Sequence, residues 1–321
     1  MSAPHFRQRG VALLVAVVMF AIATTVAAAI TYNKAMASRR AAATFTLEQA
    51  LQAGMAAEAL AAIALEDDGK NSRTELNNAW AQVVGPLEIE GTGIWIQAQV
   101  EDLTSRFNLN SLVQWSAPNS IFEANPRQVI AFRELLATLN IDQKYADLLV
   151  DWIDTDIQPQ STGGGEDTLY LTQVPPYRPP NTFITHPSEL LALPGFGAEN
   201  YALIAPYVTA LPLSAKVNPC TASGLVLDIA VNDPVSQSNW QNAQLQQSRQ
   251  KSCFPTKADL LAAIADPQVK AAAEANFEEK SYWFRLRTNI RIGTAEFVLY
   301  SVLLREQNNR VRTVQRSFGT E

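Results

Sequence analysis

The first thirty residues constrain the chain more than any other stretch. A short leader ending Arg7-Gln8-Arg9-Gly10 runs directly into twenty uncharged residues, Val11 to Ile30. At about 1.5 Å of rise per residue, that segment makes a helix of roughly 30 Å, the thickness of a bilayer's hydrocarbon layer. The helical pattern does not stop there. Lys34 to Leu65 holds no proline and one glycine and is rich in Ala, Leu, Met, Glu and Gln, so a helix of about 55 residues is expected, half apolar and half amphipathic. Arg7 and Arg9 precede the span and place the amino end in the cytoplasm, with the bulk of the chain outside. A cleaved secretory signal is the alternative, with Ala27-Ala28-Ala29 as its small-residue scission site.

Gly10, set between the charged leader and the apolar run, resembles the processing signal of type IV pilins and pseudopilins. The resemblance implies cleavage by the prepilin peptidase between Gly10 and Val11, with the apolar helix kept on the mature subunit. An uncleaved signal anchor with a chance glycine is the plain alternative. Major pilins carry a glutamate at the fifth mature position, where this chain has Val15. Without that carboxylate the new amino terminus has no partner in an apolar filament core, and a buried unpaired ammonium is costly. An end position in a filament suits such a subunit better than repeated use along the shaft.

Roughly 290 residues follow the span, enough for two or three domains. A formal charge of -6 and a pI near 5.1 argue against nucleic acid as a partner. The two cysteines, Cys220 and Cys253, are free to form a disulfide outside the cytoplasm; two unpaired buried thiols are the alternative. Ile94 to Val100 alternates after Gly91 and Gly93 and reads as a strand. Near the carboxyl end, Phe284, Leu286, Thr288, Ile290 and Ile292 alternate with Arg285, Arg287, Asn289 and Arg291. Phe297 to Leu304 and Val311 to Phe318 complete an antiparallel meander with one basic face. Residues from about 108 to 278 read as helical, with proline-rich breaks. Glu101 to Pro212 carries a net charge of -8, and Lys280 to Arg316 a net of +6.

The strongest chemical constellation is Asp151-Trp152-Ile153-Asp154-Thr155-Asp156, followed by Gly163-Gly164-Gly165, Glu166-Asp167 and Tyr170. Five carboxylates within seventeen residues repel one another unless a cation intervenes, and the glycines let the loop fold back on itself. All-oxygen ligands in a flexible loop favour Ca²⁺ over Mg²⁺. Asp154, Asp156, Glu166 and Asp167 are the first candidates, with Asp151 instead facing the preceding helix. A solvated acidic loop and a glycosidase carboxylate pair are the competing readings; only Trp152 and Tyr170 offer sugar-stacking rings nearby.

Ser105-Arg106-Phe107-Asn108-Leu109-Asn110, the acidic segment, Pro175-Pro176-Tyr177-Arg178, Asn181 and Ser188-Glu189-Leu190 occur in the order seen in the K-type minor pseudopilins of the type II secretion system. The chain resembles that family over nearly its whole length. The resemblance implies an α+β fold: a pilin-like long helix and antiparallel sheet, interrupted by a large, mainly helical domain. It also implies calcium in the acidic loop. The implied partners are the I-type and J-type minor pseudopilins at a filament tip, then the major pseudopilin, in a periplasmic assembly drawn from the inner membrane. The expected divisions are a leader over 1–10, a membrane and stalk helix over 11–66, pilin-domain segments over 67–107 and 279–321, and the inserted domain over 108–278.

Leu193-Pro194-Gly195-Phe196-Gly197 resembles a helix-hairpin-helix turn, and Val217 to Ser223 the start of another. His186 to Pro212 contains no Lys or Arg to meet phosphate, so a structural use is expected. His186 is the one histidine outside the leader, and Pro187-Ser188-Glu189 reads as a helix start with Ser188 as cap rather than as part of a catalytic triad. No phosphate loop or dinucleotide fingerprint occurs, and no enzymatic activity is expected. The rival from another class is an anchored calcium-dependent binding module or hydrolase.

Overall fold

A computed structural model describes residues 11–118, 120–231, 240, 243–249 and 252–319. The leader, including Gly10, lies outside the described residues. In chain order the elements are α1 (Val11–Asp68), β1 (Val84–Ile89), β2 (Ile94–Asp102), β3 (Phe107–Asn108), β4 (Val113–Ser116) and β5 (Ile121–Ala124). There follow α2 (Pro126–Thr138), α3 (Lys144–Ile153), α4 (Asp167–Tyr170), α5 (Gly197–Ile204), β6 (Val208–Thr209), α6 (Gly224–Val231), α7 (Ala243–Arg249), α8 (Lys257–Ala263) and α9 (Pro267–Asn276). The chain ends in β7 (Trp283–Ile292), β8 (Ala295–Arg305) and β9 (Val311–Phe318).

α1 is one unbroken helix of 58 residues, as a proline-free run of good helix formers requires. Its amino-terminal part is long and apolar enough to cross a membrane, and none of that part is buried. The first buried residue is Ala50. From there Ala50, Ala53, Gly54, Ala57 and Ala61 recur at helical spacing and form a face of small side chains. That face lies on a five-stranded antiparallel sheet of order β1-β2-β7-β8-β9. Phe284, Leu286, Thr288 and Ile290 of β7 turn toward the helix and are buried, while Arg287 and Arg291 between them are exposed.

Between β2 and β7 the chain leaves the sheet and builds a separate core from Leu109, Phe132, Leu135, Leu149, Trp152, Tyr170 and Phe196. A smaller cluster of Val226, Leu227, Leu260 and Phe277 adjoins Cys220 and Cys253, which are disulfide-bonded. The segment read as mainly helical, with proline-rich breaks, also contains a parallel β3–β6 pair and an antiparallel β4–β5 hairpin. The cause is tertiary: the Asn108 amide donates to the Leu211 and Pro212 carbonyls and holds an extended strand alongside. The helical start at 187 is capped not by Ser188 but by His186, whose Nδ1 accepts from the Ser188 N–H at 3.2 Å. Glu189 returns the bond to the backbone N–H of His186, and Pro187 sits at the first position, where its missing N–H is no loss.

The excursion is tied back to the sheet through buried polar groups. The Asp102 carboxylate accepts from the hydroxyls of Thr104, Thr221 and Ser281. Arg305, 1% exposed, donates to Asp68, the Leu65 carbonyl and Thr74, so the end of α1 is held at the same junction.

Candidate metal centre

The carboxyl end of α3 and the loop behind it bring the acidic residues together. Asp151 lies in the last turn of α3, and Asp154 caps the helix with its N–H on the Val150 carbonyl at 2.8 Å. The loop then returns, and Glu166 precedes the single turn of α4. The return is fixed by the Asp151 carboxylate, whose oxygens accept the Gln160 N–H at 2.8 Å and the Gly165 N–H at 2.7 Å. Gly164 passes so close to Asp151 that any Cβ there would collide with its carboxylate. One turn earlier on α3, Asp147 accepts from Ser161 at 2.6 Å and pairs with Arg133 at 2.5 Å, clamping the same loop.

One oxygen from each of Asp151, Asp154 and Glu166 lies within 4.8 Å of the others, and all three residues are buried. That spread matches oxygens arranged around a cation at about 2.4 Å from each. Oδ1 of Asp154 and Oε1 of Glu166 are buried with no hydrogen-bond partner, as are Oδ1 of Asn181 and the hydroxyl of Tyr170. Burial, reinforced by Asp156 and Asp151, pushes the Asp154 carboxyl up to about 8. Burial with Asp151 and Asp156 pushes Glu166 up to about 7, and burial raises Asp151 to about 6 against its two backbone hydrogen bonds. Carboxylates left in this state lack a positive partner. The donor set is all oxygen, negative and partly unsatisfied, so the residues fit a hard divalent cation.

The geometry ranks the expected ligands differently from the sequence. Asp151, read as facing its helix, joins Asp154 and Glu166. Asp156 stands nearby, half-buried, with Oδ1 accepting the Gln158 N–H. Asp167 turns outward to Arg178 at 3.4 Å. Asn181, at a φ of 47°, donates to the Asp156 carbonyl at 3.4 Å and leaves its own amide oxygen buried and unpaired. Neither its candidacy nor the Asp147 clamp was drawn from sequence, although the four-residue spacing of Asp147 and Asp151 places both on one helix face. Val11 is the first residue of α1 and exposed.

The family model for protein K of the type II secretion system matches residues 105–213, which contain the whole acidic loop. Type II secretion system protein K of Pseudomonas aeruginosa is 31% identical over 97% of this chain and 93% of its own length. The Klebsiella pneumoniae protein of that name is 31% identical, covering 98% of each chain. Among solved structures, a chain in the crystal structure of the GspK-GspI-GspJ complex from the enterotoxigenic Escherichia coli type 2 secretion system superposes with a TM-score of 0.75. The match covers 88% of this chain and 100% of that one at 25% identity. With 31% identity to these relatives over nearly its whole length, the chain belongs to the type II secretion system protein K family.

Proposed function

We propose that the protein is a minor pseudopilin that assembles with I-type and J-type subunits at the tip of a periplasmic filament. It is cleaved between Gly10 and Val11 by the prepilin peptidase and drawn from the inner membrane. There it starts assembly, precedes the major pseudopilin and limits filament length. The observation that carries this reading is the superposition, over 88% of this chain, on a chain from a complex whose three components are named K, I and J. The geometry supports it: α1 leaves its apolar first half bare, able to lie in a membrane or against like helices. The interrupted pilin-like sheet carries a second body that would obstruct a further subunit stacked above it. The role is non-enzymatic. Co-expression of the full chain with I-type and J-type subunits is expected to yield a ternary complex after detergent extraction; separate migration of all three would overturn the assignment.

In the same reading Asp151, Asp154 and Glu166 hold Ca²⁺, with Asn181 and Asp156 beside them. The ion neutralises the converged carboxylates and fixes the loop against α3. Support comes from the unpaired buried oxygens and the raised carboxyls. Calorimetry with calcium alone tests this part separately: absence of heat, together with unchanged melting in chelator, removes the metal and leaves the tip assembly standing.

A further inference from the structure

The sheet face turned away from α1 carries chemistry that neither the helix nor the metal loop uses. In register across β2, β7 and β8, Gln99, Arg287 and Tyr300 form one row. Gln97 and Asn289 form the next, and Trp95, Arg291 and Glu296 the third. The other arginines within strands β7 to β9 are committed: Arg285 to Glu101, Arg305 to Asp68, Arg312 to Glu306 and Arg316 to Glu58. Arg287 and Arg291 are exposed and form no ion pair or side-chain hydrogen bond among the described residues, and the amides of Gln97, Gln99 and Asn289 also form none.

Both guanidiniums are held by rings instead of carboxylates. Arg291 lies over Trp95 at 5.6 Å and Arg287 over Tyr300 at 6.0 Å. Stacking restrains the planar group while leaving its N–H fork open. Guanidiniums only donate, so the two open forks make this face rich in donors; its carboxylates are Glu296 opposite Arg291, Glu88 opposite Trp95, and Glu101, which is already paired with Arg285. Carboxylates answer a guanidinium fork best, by paired charge-assisted bonds. Trp, Tyr and Arg are also the residue types that dominate binding energy at protein interfaces.

We propose that this face docks an acidic segment of a partner protein, whose carboxylates are received by Arg287 and Arg291. The two arginines are four strand residues apart, so the matching carboxylates lie about 13 Å apart. The site goes beyond tip assembly through α1, since α1 lies on the opposite side of the sheet. An uncharged polysaccharide is the competing occupant, for which aromatic rings and amides would suffice and the guanidiniums would matter little.

The test replaces Asn289 with a photo-crosslinking amino acid in the full-length chain, irradiated in secreting cells. The expected adduct is a protein whose linked peptide carries at least two Asp or Glu residues. Arg287→Glu with Arg291→Glu is expected to lower its yield about ten-fold or more, and lysines in place of the partner's carboxylates to restore it. Arg287→Lys with Arg291→Lys, preserving charge, reports should the reversed variant fail to fold: it is expected to keep the adduct at low salt and lose it at high salt. A glycan adduct, a linked peptide without carboxylates, no adduct, or a yield indifferent to the arginines would each overturn the proposal.

Discussion

Asp154 and Glu58 show how burial acts on a carboxyl group with and without a positive partner. Asp154 is buried among acids and rises; Glu58, inside the helix–sheet seam, accepts from Ser301 and Thr313 and pairs with Arg316 at 2.7 Å. Burial alone would raise Glu58, but the hydrogen bonds from Arg316, Ser301 and Thr313 outweigh it and hold the group below its usual value. A lowered acid stabilises the fold above its unfolded value, near pH 4.3, and that contribution is lost as pH falls through the folded value. The melting temperature of the native chain should therefore drop more steeply below about pH 4.3 than that of Glu58→Gln; parallel acid limbs would refute it. For Asp154, calcium at a hundredfold excess over its dissociation constant should raise native stability by about 2.7 kcal/mol. Asp154→Asn should lose most of that increment in melts with and without chelator. At this scale the sequence exposed the acidic residues but not their ranking, because which oxygens converge depends on the loop's return past Gly164. Asp151 looked like a helix residue and is one, yet its carboxylate also organises the loop.

Among the elements, α1 was the most legible, since an apolar run continuing into a proline-free alanine-rich stretch permits little else. The seam with the sheet depends on Gly54, where an added Cβ would run into the Leu299 side chain, with Ile290 close by. Leu299 and Ile290 are buried and have little room to move. Gly54→Leu should cost about 1–3 kcal/mol by overpacking, read as a lower denaturation midpoint at unchanged slope. β7 to β9 were legible from alternation because one face is buried and the other wet. β1 escaped notice because Gly85-Pro86 interrupts it at a register shift. The short strands β3 and β6 were invisible, as each is two residues long and held by hydrogen bonds from the side-chain amides of Asn108 and Asn110 to chain about a hundred residues distant.

On the scale of the molecule, the stalk, sheet and inserted body meet at Arg305 and Asp102, both nearly inaccessible to water. Arg305→Ala would leave the buried Asp68 carboxylate without its positive partner, and removing one partner of a buried pair costs about 3–5 kcal/mol. Thermal unfolding should show that loss, whereas Arg312→Ala, at an exposed pair, should change stability by less than about 1 kcal/mol. The Cys220–Cys253 bond closes a span of 33 residues, and Cys220→Ser should destabilise the smaller cluster by about 3–4 kcal/mol in the chain-entropy account, measured against the oxidised native chain. By itself the sequence determined the membrane-length helix, the meander and the presence of an acidic loop, because each is written in local periodicity or composition. Only the tertiary structure decided which carboxylates share a site, which arginines remain unpaired, and how the inserted body is fixed to the sheet. Those outcomes rest on contacts between residues distant in sequence, whose energies depend on burial and geometry that no local pattern encodes.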